Sequence, residues 1–327
     1  MDGDQPADQP VTVHSLPQEL LASILSHNFT KDDPPDLDTL KAASLVCRAW
    51  REPAQRLVWA CGAELLSEDE MDAFVRTRPL RRGGPREMAV HEYKDRKRLK
   101  RVLGVCDGLR FLMVAVPERD FDANVFRVEQ LADMHTLIVQ ARLLPIRSGM
   151  SFPFSLRTLV LADASLRSTH LAPFLVALQS TCIPSLRSIA LPGFSPSAHP
   201  AVAEALLPFA PHLSHFGLSI RTKDDAKPYI PFLHAATALN SFECTALPPA
   251  LLANLPPSLT VLATAEEAAV LDGEALSTAF DGLKCLKRLY FASSRTDFLK
   301  QVKGGQKLVD RMRERGVDWM FEGEMER

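Results

Sequence analysis

The sequence has no pair of cysteines at C-x-x-C spacing. Its six cysteines, Cys47, Cys61, Cys106, Cys182, Cys244 and Cys285, are scattered along the chain. That pattern argues against a metal site or a redox pair. It reads all six as small core hydrophobes in a reducing compartment. There is no surplus of one charge, the net being -2. A general nucleic-acid binder needs excess Lys and Arg to replace counterions, so nucleic acid is not expected as a partner. No apolar run approaches the roughly 20 residues of a membrane helix, and no membrane association is expected. The stretch Met1 to Val11 is acidic and polar, the opposite of a secretory signal. These features predict an intracellular protein, cytoplasmic, nuclear or both.

Signatures of catalysis are missing as well. There is no G-x-S-x-G elbow and no H-E-x-x-H pair. Gly304-Gly305-Gln306-Lys307 lacks the leading Gly and the trailing Ser or Thr of a phosphate loop, and reads as a turn before a helix. The nine histidines are dispersed. His212 and His215 flank one strand, and structural roles are the default for all nine. No catalytic residue, metal or cofactor is expected.

What is present is a folding chain, 46% apolar and 24% charged over 327 residues. That is enough for two domains or one long repeat array. Residues 1–12, rich in Asp, Gln and Pro, read as a disordered tail. Ser15 and Gln18 then supply a capping box, with Pro17 in the first turn. Leu20, Leu21, Ile24 and Leu25 follow at helical spacing as one apolar stripe. Leu40, Ala43, Cys47, Trp50, Ala54 and Leu57 form a second face. Pro53 argues against one unbroken helix, so two short helices with a break near 45–47 are expected. Such a unit buries little surface and probes as a module that borrows surface from a partner.

From residue 109 onward a short pattern, L-x-x-L-x-L with substitutions, recurs. It begins at 109, 134, 156, 186, 213, 239, 259 and 286, at separations of 20 to 30 residues. Helix-like stretches lie between, for example 170–179, 201–209, 229–238 and 275–280. Strands alternating with helices imply parallel strands with helices on one face. In each unit the fourth and sixth residues should face the core and the third and fifth should face out. The second positions, among them Arg110, His135, Arg157, Arg187 and Lys287, then form a basic rim. Residues 298–315 read as one amphipathic helix, and 317–321 as a final strand or cap. The basic run 94–101 is read as the solvated face of a helix lying over Leu99, Val102 and Leu103. A nuclear-import signal or a phosphate-contacting patch is the competing reading.

Residues 14–60 resemble the F-box family. The resemblance rests on Leu16-Pro17-Gln18-Glu19-Leu20-Leu21, Ile24-Leu25, Ser44-Leu45-Val46-Cys47-Arg48-Ala49-Trp50-Arg51 and Leu57-Val58-Trp59. The connection 28–37 is longer than is usual for that family. Residues 105–325 resemble the irregular leucine-rich repeats of fungal-type F-box proteins. The Asn that usually follows the strand is replaced, with Ala164 and Phe194 in its place. The resemblance implies a short three-helix F-box followed by a curved α/β solenoid. The boundaries are a tail over 1–12, the F-box over 13–60, a connecting helical segment or first irregular repeat over 61–104, and the solenoid with its cap over 105–327.

It further implies a non-enzymatic adaptor that binds a Skp-type protein and, through it, a cullin scaffold, while the solenoid holds a protein substrate. The adaptor contacts would be Leu16, Pro17, Leu20, Leu21, Ile24, Leu25, Leu40, Val46, Trp50 and Trp59. The substrate contacts would be Arg110, Arg157, Arg187, His215, Glu243, Arg288 and Tyr290. The rival reading is a non-catalytic repeat scaffold with no ligase role, in which 14–60 only cap the array.

Overall fold

The computed structural model describes residues 18–27, 37–46, 48–60, 63–77, 84–147, 149–162, 168–191, 193–220, 222–265, 271–292 and 294–321. Three helices come first: α1 (Gln18–His27), α2 (Leu37–Val46) and α3 (Arg48–Ala60). The break expected near 45–47 falls between α2 and α3. Pro53 lies inside α3, past its first turn, where its missing N–H removes one bond from the helical ladder. Leu25, Leu40, Ala43 and Ala54 form a small core with Trp50, Leu57 and Val58 packed against it. This core is separate from the large one formed by the rest of the chain.

The remainder is built on one sheet of eleven parallel strands, paired strictly in chain order. They are β1 (Ala63–Leu65), β2 (Glu87–Val90), β3 (Phe111–Phe121), β4 (Thr136–Leu143), β5 (Thr158–Leu161) and β6 (Ser188–Leu191). Then come β7 (His215–Leu218), β8 (Ser241–Cys244), β9 (Val261–Thr264), β10 (Arg288–Phe291) and β11 (Asp318–Phe321). Each of the eight sequence units starts its strand at the third residue, from Phe111 to Arg288. The alternation is as expected. Leu137, Val139, Leu159, Leu161, Ile189 and Leu191 are buried, and their neighbours Thr136, Ile138, Thr158 and Val160 are only half-buried. Each buried Leu contributes about 1.5–3 kcal/mol of transfer free energy, which locks the register.

The connections carry α4 (Glu68–Thr77), α5 (Arg96–Leu103), α6 (Ser168–Cys182), α7 (His199–Leu206), α8 (Lys223–Ala226) and α9 (Ile230–Ala235). α10 (Pro249–Leu252), α11 (Gly273–Ala279), α12 (Arg295–Gln301) and α13 (Gly305–Glu314) follow. Their apolar faces and the inward side of the sheet make one continuous core.

The segment 61–104, expected as a connecting helical segment or a first irregular repeat, carries β1 and β2, which extend the sheet upstream of the recurring pattern. Three expectations are corrected. The single helix over 298–315 is two, α12 and α13. The chain turns at Gly304, whose φ of +74° is the left-handed conformation that glycine tolerates best. Cys285 is exposed rather than in the core, while Cys106, Cys182 and Cys244 are buried; Cys47 and Cys61 lie outside the described residues. The stripe on α1 divides, with Leu21 and Leu25 buried and Leu20 and Ile24 on the surface.

Ser and Thr hydroxyls pair backbone groups at the strand ends, Ser185 and Ser258 before β6 and β9 and Thr245 after β8. Ser185 donates to the Leu156 carbonyl at 2.8 Å and Ser258 to that of Leu239 at 2.8 Å. Thr245 Oγ1 accepts from the Ile220 N–H at 2.9 Å and donates to the Ile220 carbonyl at 2.8 Å. Buried backbone groups are thereby paired without the repeat's usual residue. Ala164 lies outside the described residues; Phe194 is buried and packs on His199 with ring centroids 4.4 Å apart.

Candidate functional site

The three-helix module exposes an unusual amount of apolar surface. Eight large apolar side chains stand exposed among the described residues, and four of them are here: Leu20 (51%), Ile24 (46%), Leu45 (79%) and Val46 (66%). Leu20 and Ile24 are one turn apart on α1, and Leu45 and Val46 end α2. A module with so small a core gains nothing by itself from such a surface, and exposed apolar clusters mark interaction sites. Of the other candidate adaptor contacts, Leu21, Leu25 and Leu40 are buried within the module. Trp50 is half-buried, and its indole Nε1 is buried with no hydrogen-bond partner among the described residues. Leu16, Pro17 and the side chain of Trp59 lie outside the described residues, as does Ser15 of the expected capping box.

The second candidate surface is the sheet face turned away from the core. Strand pairing aligns the third positions into one row, running Phe111, Thr136, Thr158, Ser188, His215, Ser241, Val261 and Arg288. The fifth positions form a parallel row from Met113 through Ile138, Val160, Ala190, Gly217, Glu243 and Ala263 to Tyr290. Within the second row Gly217 lies close against Ala190, and a Cβ there would sit 3.3 Å from that of Ala190. His215, Glu243 and Arg288 are exposed and Tyr290 is half-buried, so all four candidates on the strands do share this face. Arg110, Arg157 and Arg187 are exposed immediately before β3, β5 and β6.

The backbone fixes that rim. At each step the carbonyl of the residue before one strand accepts two N–H groups from the start of the next. Arg86 takes those of Arg110 and Phe111 at 2.7 and 3.0 Å, and Arg157 those of Arg187 and Ser188 at 2.9 and 3.0 Å. Arg86 belongs to this row and was missed from the sequence, since β2 carries no L-x-x-L-x-L unit. The available signal was only the short alternation Glu87–Val90, with Met88 and Val90 buried.

The arginines of the basic run are paired in place. α5 is capped by Asp95, whose side chain accepts from the Lys97 N–H, and Leu99, Val102 and Leu103 are buried beneath it. Arg98 pairs with Glu68 at 2.8 Å and Asp72 at 3.7 Å, Arg101 with Asp72 at 3.6 Å, and Arg96 with Asp122 at 2.9 Å. The Glu68 carboxylate also accepts the N–H groups of Lys94 and Asp95, which holds it below the usual carboxylate range. The run is thus tied to acidic partners within the fold, as the solvated-face reading expects.

One buried polar group has no counterpart in the sequence reading. His199 is 1% exposed, with Nδ1 2.9 Å from the Tyr229 hydroxyl and Nε2 3.8 Å from Asp225. Burial lowers the His199 pKa, and the Asp225 carboxylate opposes that only in part. Burial raises the Tyr229 phenol. This is a structural pin between repeats.

Among the described residues no cluster of His, Cys, Asp or Glu could hold a metal, and no helix is long and apolar enough to cross a membrane. Residues 13–61 match the family described as F-box-like. No curated protein matches the sequence. The chain therefore carries an F-box-like domain that coincides with α1–α3, followed by a repeating parallel sheet with helices.

Proposed function

We propose that this protein is the substrate-recognition adaptor of a Skp-cullin-F-box type ubiquitin ligase. Its F-box-like domain binds a Skp-type adaptor, itself attached to a cullin, and its strands form irregular leucine-rich repeats that hold a protein substrate. The observation that carries the reading is the exposed set Leu20, Ile24, Leu45 and Val46 on a minimal three-helix module within residues 13–61. On this reading these surface residues make the contact together with Leu16, Pro17 and Trp59, and Leu21, Leu25, Leu40 and Trp50 support it from below. The protein does no chemistry of its own. It holds two reactants together, which raises their effective concentration. It works in the cytoplasm, the nucleus or both.

The test is capture of a purified Skp-type adaptor by the full chain, followed by size-exclusion chromatography. Co-elution at equal stoichiometry supports the reading. Failure to co-elute, with the repeat sheet folded, overturns it and leaves a scaffold without a ligase role.

A further inference from the structure

Five consecutive repeats place a basic residue at the same structural position, just before the strand: Arg86, Arg110, His135, Arg157 and Arg187. At the next three steps the position is held by Ser214, Asn240 and Thr260, and the charge disappears until Lys287. The carbonyl of each residue accepts two amides of the following strand, at 2.7 to 3.0 Å, so the backbone of the row cannot drift. At a strand spacing of about 4.8 Å the five side chains cover about 19 Å.

The four arginines are exposed. None of them makes an ion pair among the described residues, and the one side-chain bond is from Arg187 to the carbonyl of its neighbour Leu186 at 3.0 Å. Like charges on adjacent strands repel one another, so the free chain bears a cost that an anionic ligand would remove. The arrangement contrasts with α5, where every guanidinium finds a carboxylate.

Beside this rim the third and fifth positions on the open face of β3–β6 carry no charge. Its fifth-position row is Met113, Ile138, Val160 and Ala190, all half-buried by their neighbouring strands. Of the acids on the open face, Glu64, Glu87, Glu243 and Asp318 lie on β1, β2, β8 and β11, and Asp120, further along β3 beyond these rows, is paired with Arg142 at 3.7 Å. A cationic rail next to an apolar strip is thus confined to one half of the sheet.

We infer that the β3–β6 half of the sheet binds an extended polypeptide in which a run of Asp or Glu lies beside apolar residues, the acids on the Arg86–Arg187 rail and the apolar side chains on Met113, Ile138 and Val160. The inference rests on the reading of the open sheet face as the substrate-holding surface. The length of the rail selects the ligand. An extended run of about six residues spans about 20 Å and engages the whole row. One phosphorylated residue would engage only two neighbouring arginines. A nucleic acid would meet phosphate contacts on the rim alone and an apolar strip beside it.

The experiment titrates the full chain against a fluorescein-labelled peptide in which glutamates alternate with leucines, matched in length to the rail, and reads anisotropy at low salt. A scrambled peptide, a peptide with a single phosphoserine and a single-stranded oligonucleotide serve as comparisons. The expected result is binding of the Glu–Leu peptide that falls by at least about tenfold in Arg110→Glu/Arg157→Glu/Arg187→Glu. It should stay unchanged in Lys300→Glu/Lys307→Glu, on the outer helices α12 and α13. Equal binding by wild type and the triple variant overturns the inference, as does tighter binding of the phosphoserine peptide or the oligonucleotide. Circular dichroism of the triple variant establishes that it is folded. Capture of the Skp-type adaptor by the wild-type chain is read in parallel: no peptide binding by the wild type with adaptor capture intact overturns the rail alone, and peptide binding without adaptor capture overturns the adaptor role alone.

Discussion

The His199 imidazole and the Tyr229 hydroxyl meet at 2.9 Å inside the core, bridging α7 to the short helical turn before α9. His199 is neutral there, because burial lowers its pKa below the ordinary value of 6.5. The unfolded chain therefore takes up a proton at this site before the folded chain does. His199 contributes stability above pH 6.5 that is lost as pH falls towards its lowered folded-state value. Urea midpoints of the repeat sheet should fall between pH 7.5 and 5.5, and His199→Gln should flatten that part of the profile. A variant that keeps the wild-type slope would remove His199 as the cause.

Trp50 is the aromatic anchor of the small helical core. Trp50→Ala should destabilise the module by about 3 kcal/mol, the low end for a large aromatic that is only half-buried. Adaptor capture should be lost with it. Trp50→Phe keeps the ring and deletes the unpaired Nε1 donor, so it should retain the fold. Limited proteolysis within residues 18–60 distinguishes the two variants.

Leu20 and Ile24 make the opposite case, because they are exposed. Leu20→Glu/Ile24→Glu should leave the melting temperature within about 2 °C of wild type, as surface changes usually do. Adaptor capture should fall at least tenfold, read by surface plasmon resonance, since each buried apolar side chain at an interface is worth about 1–3 kcal/mol. Unchanged affinity would mean that the adaptor contact lies on another face.

Gly273 opens α11 against the turn that joins α12 to α13. A Cβ at this site would lie 2.8 Å from the Lys303 carbonyl oxygen and 2.9 Å from Val302. The first of these is backbone and cannot rotate away. Gly273→Ala should cost about 1–3 kcal/mol by overpacking. The loss should appear first at the C-terminal end, in β10, β11 and α13, as faster amide exchange there than in β5–β7. Uniform exchange across the sheet would count against a local cap.

Much of the repeat sheet was legible because its signal is local and repeated. Strand side chains alternate strictly, so burying Leu159 and Leu161 requires Thr158 and Val160 to face the other way. That constraint recurs from Phe111 to Phe291 and sets both the core and the open face. The break between α2 and α3 falls where it was expected, but the proline that prompted the expectation is not its site, since Pro53 lies within α3. The α1 stripe was not decided by spacing: Leu20 and Leu21 both fit a helical apolar face, and only the approach of α2 and α3 buries Leu21 and leaves Leu20 in solvent.

The sequence by itself determined the strand positions, the inward residues, the small helical module and the absence of a catalytic motif, because each follows from periodicity or residue chemistry along a short stretch. Only the tertiary structure decided the rest. β1 and β2 carry no L-x-x-L-x-L unit; β2 is a strand because β3 offers it a parallel edge, and β1 because β2 does. α5 is held by Glu68, which is 26 residues before the Lys94 N–H that it accepts. His199 finds Tyr229 across 30 residues. The cationic rail exists because stacking puts Arg86, Arg110, His135, Arg157 and Arg187 on successive strands, one strand spacing apart, although they are far apart along the chain.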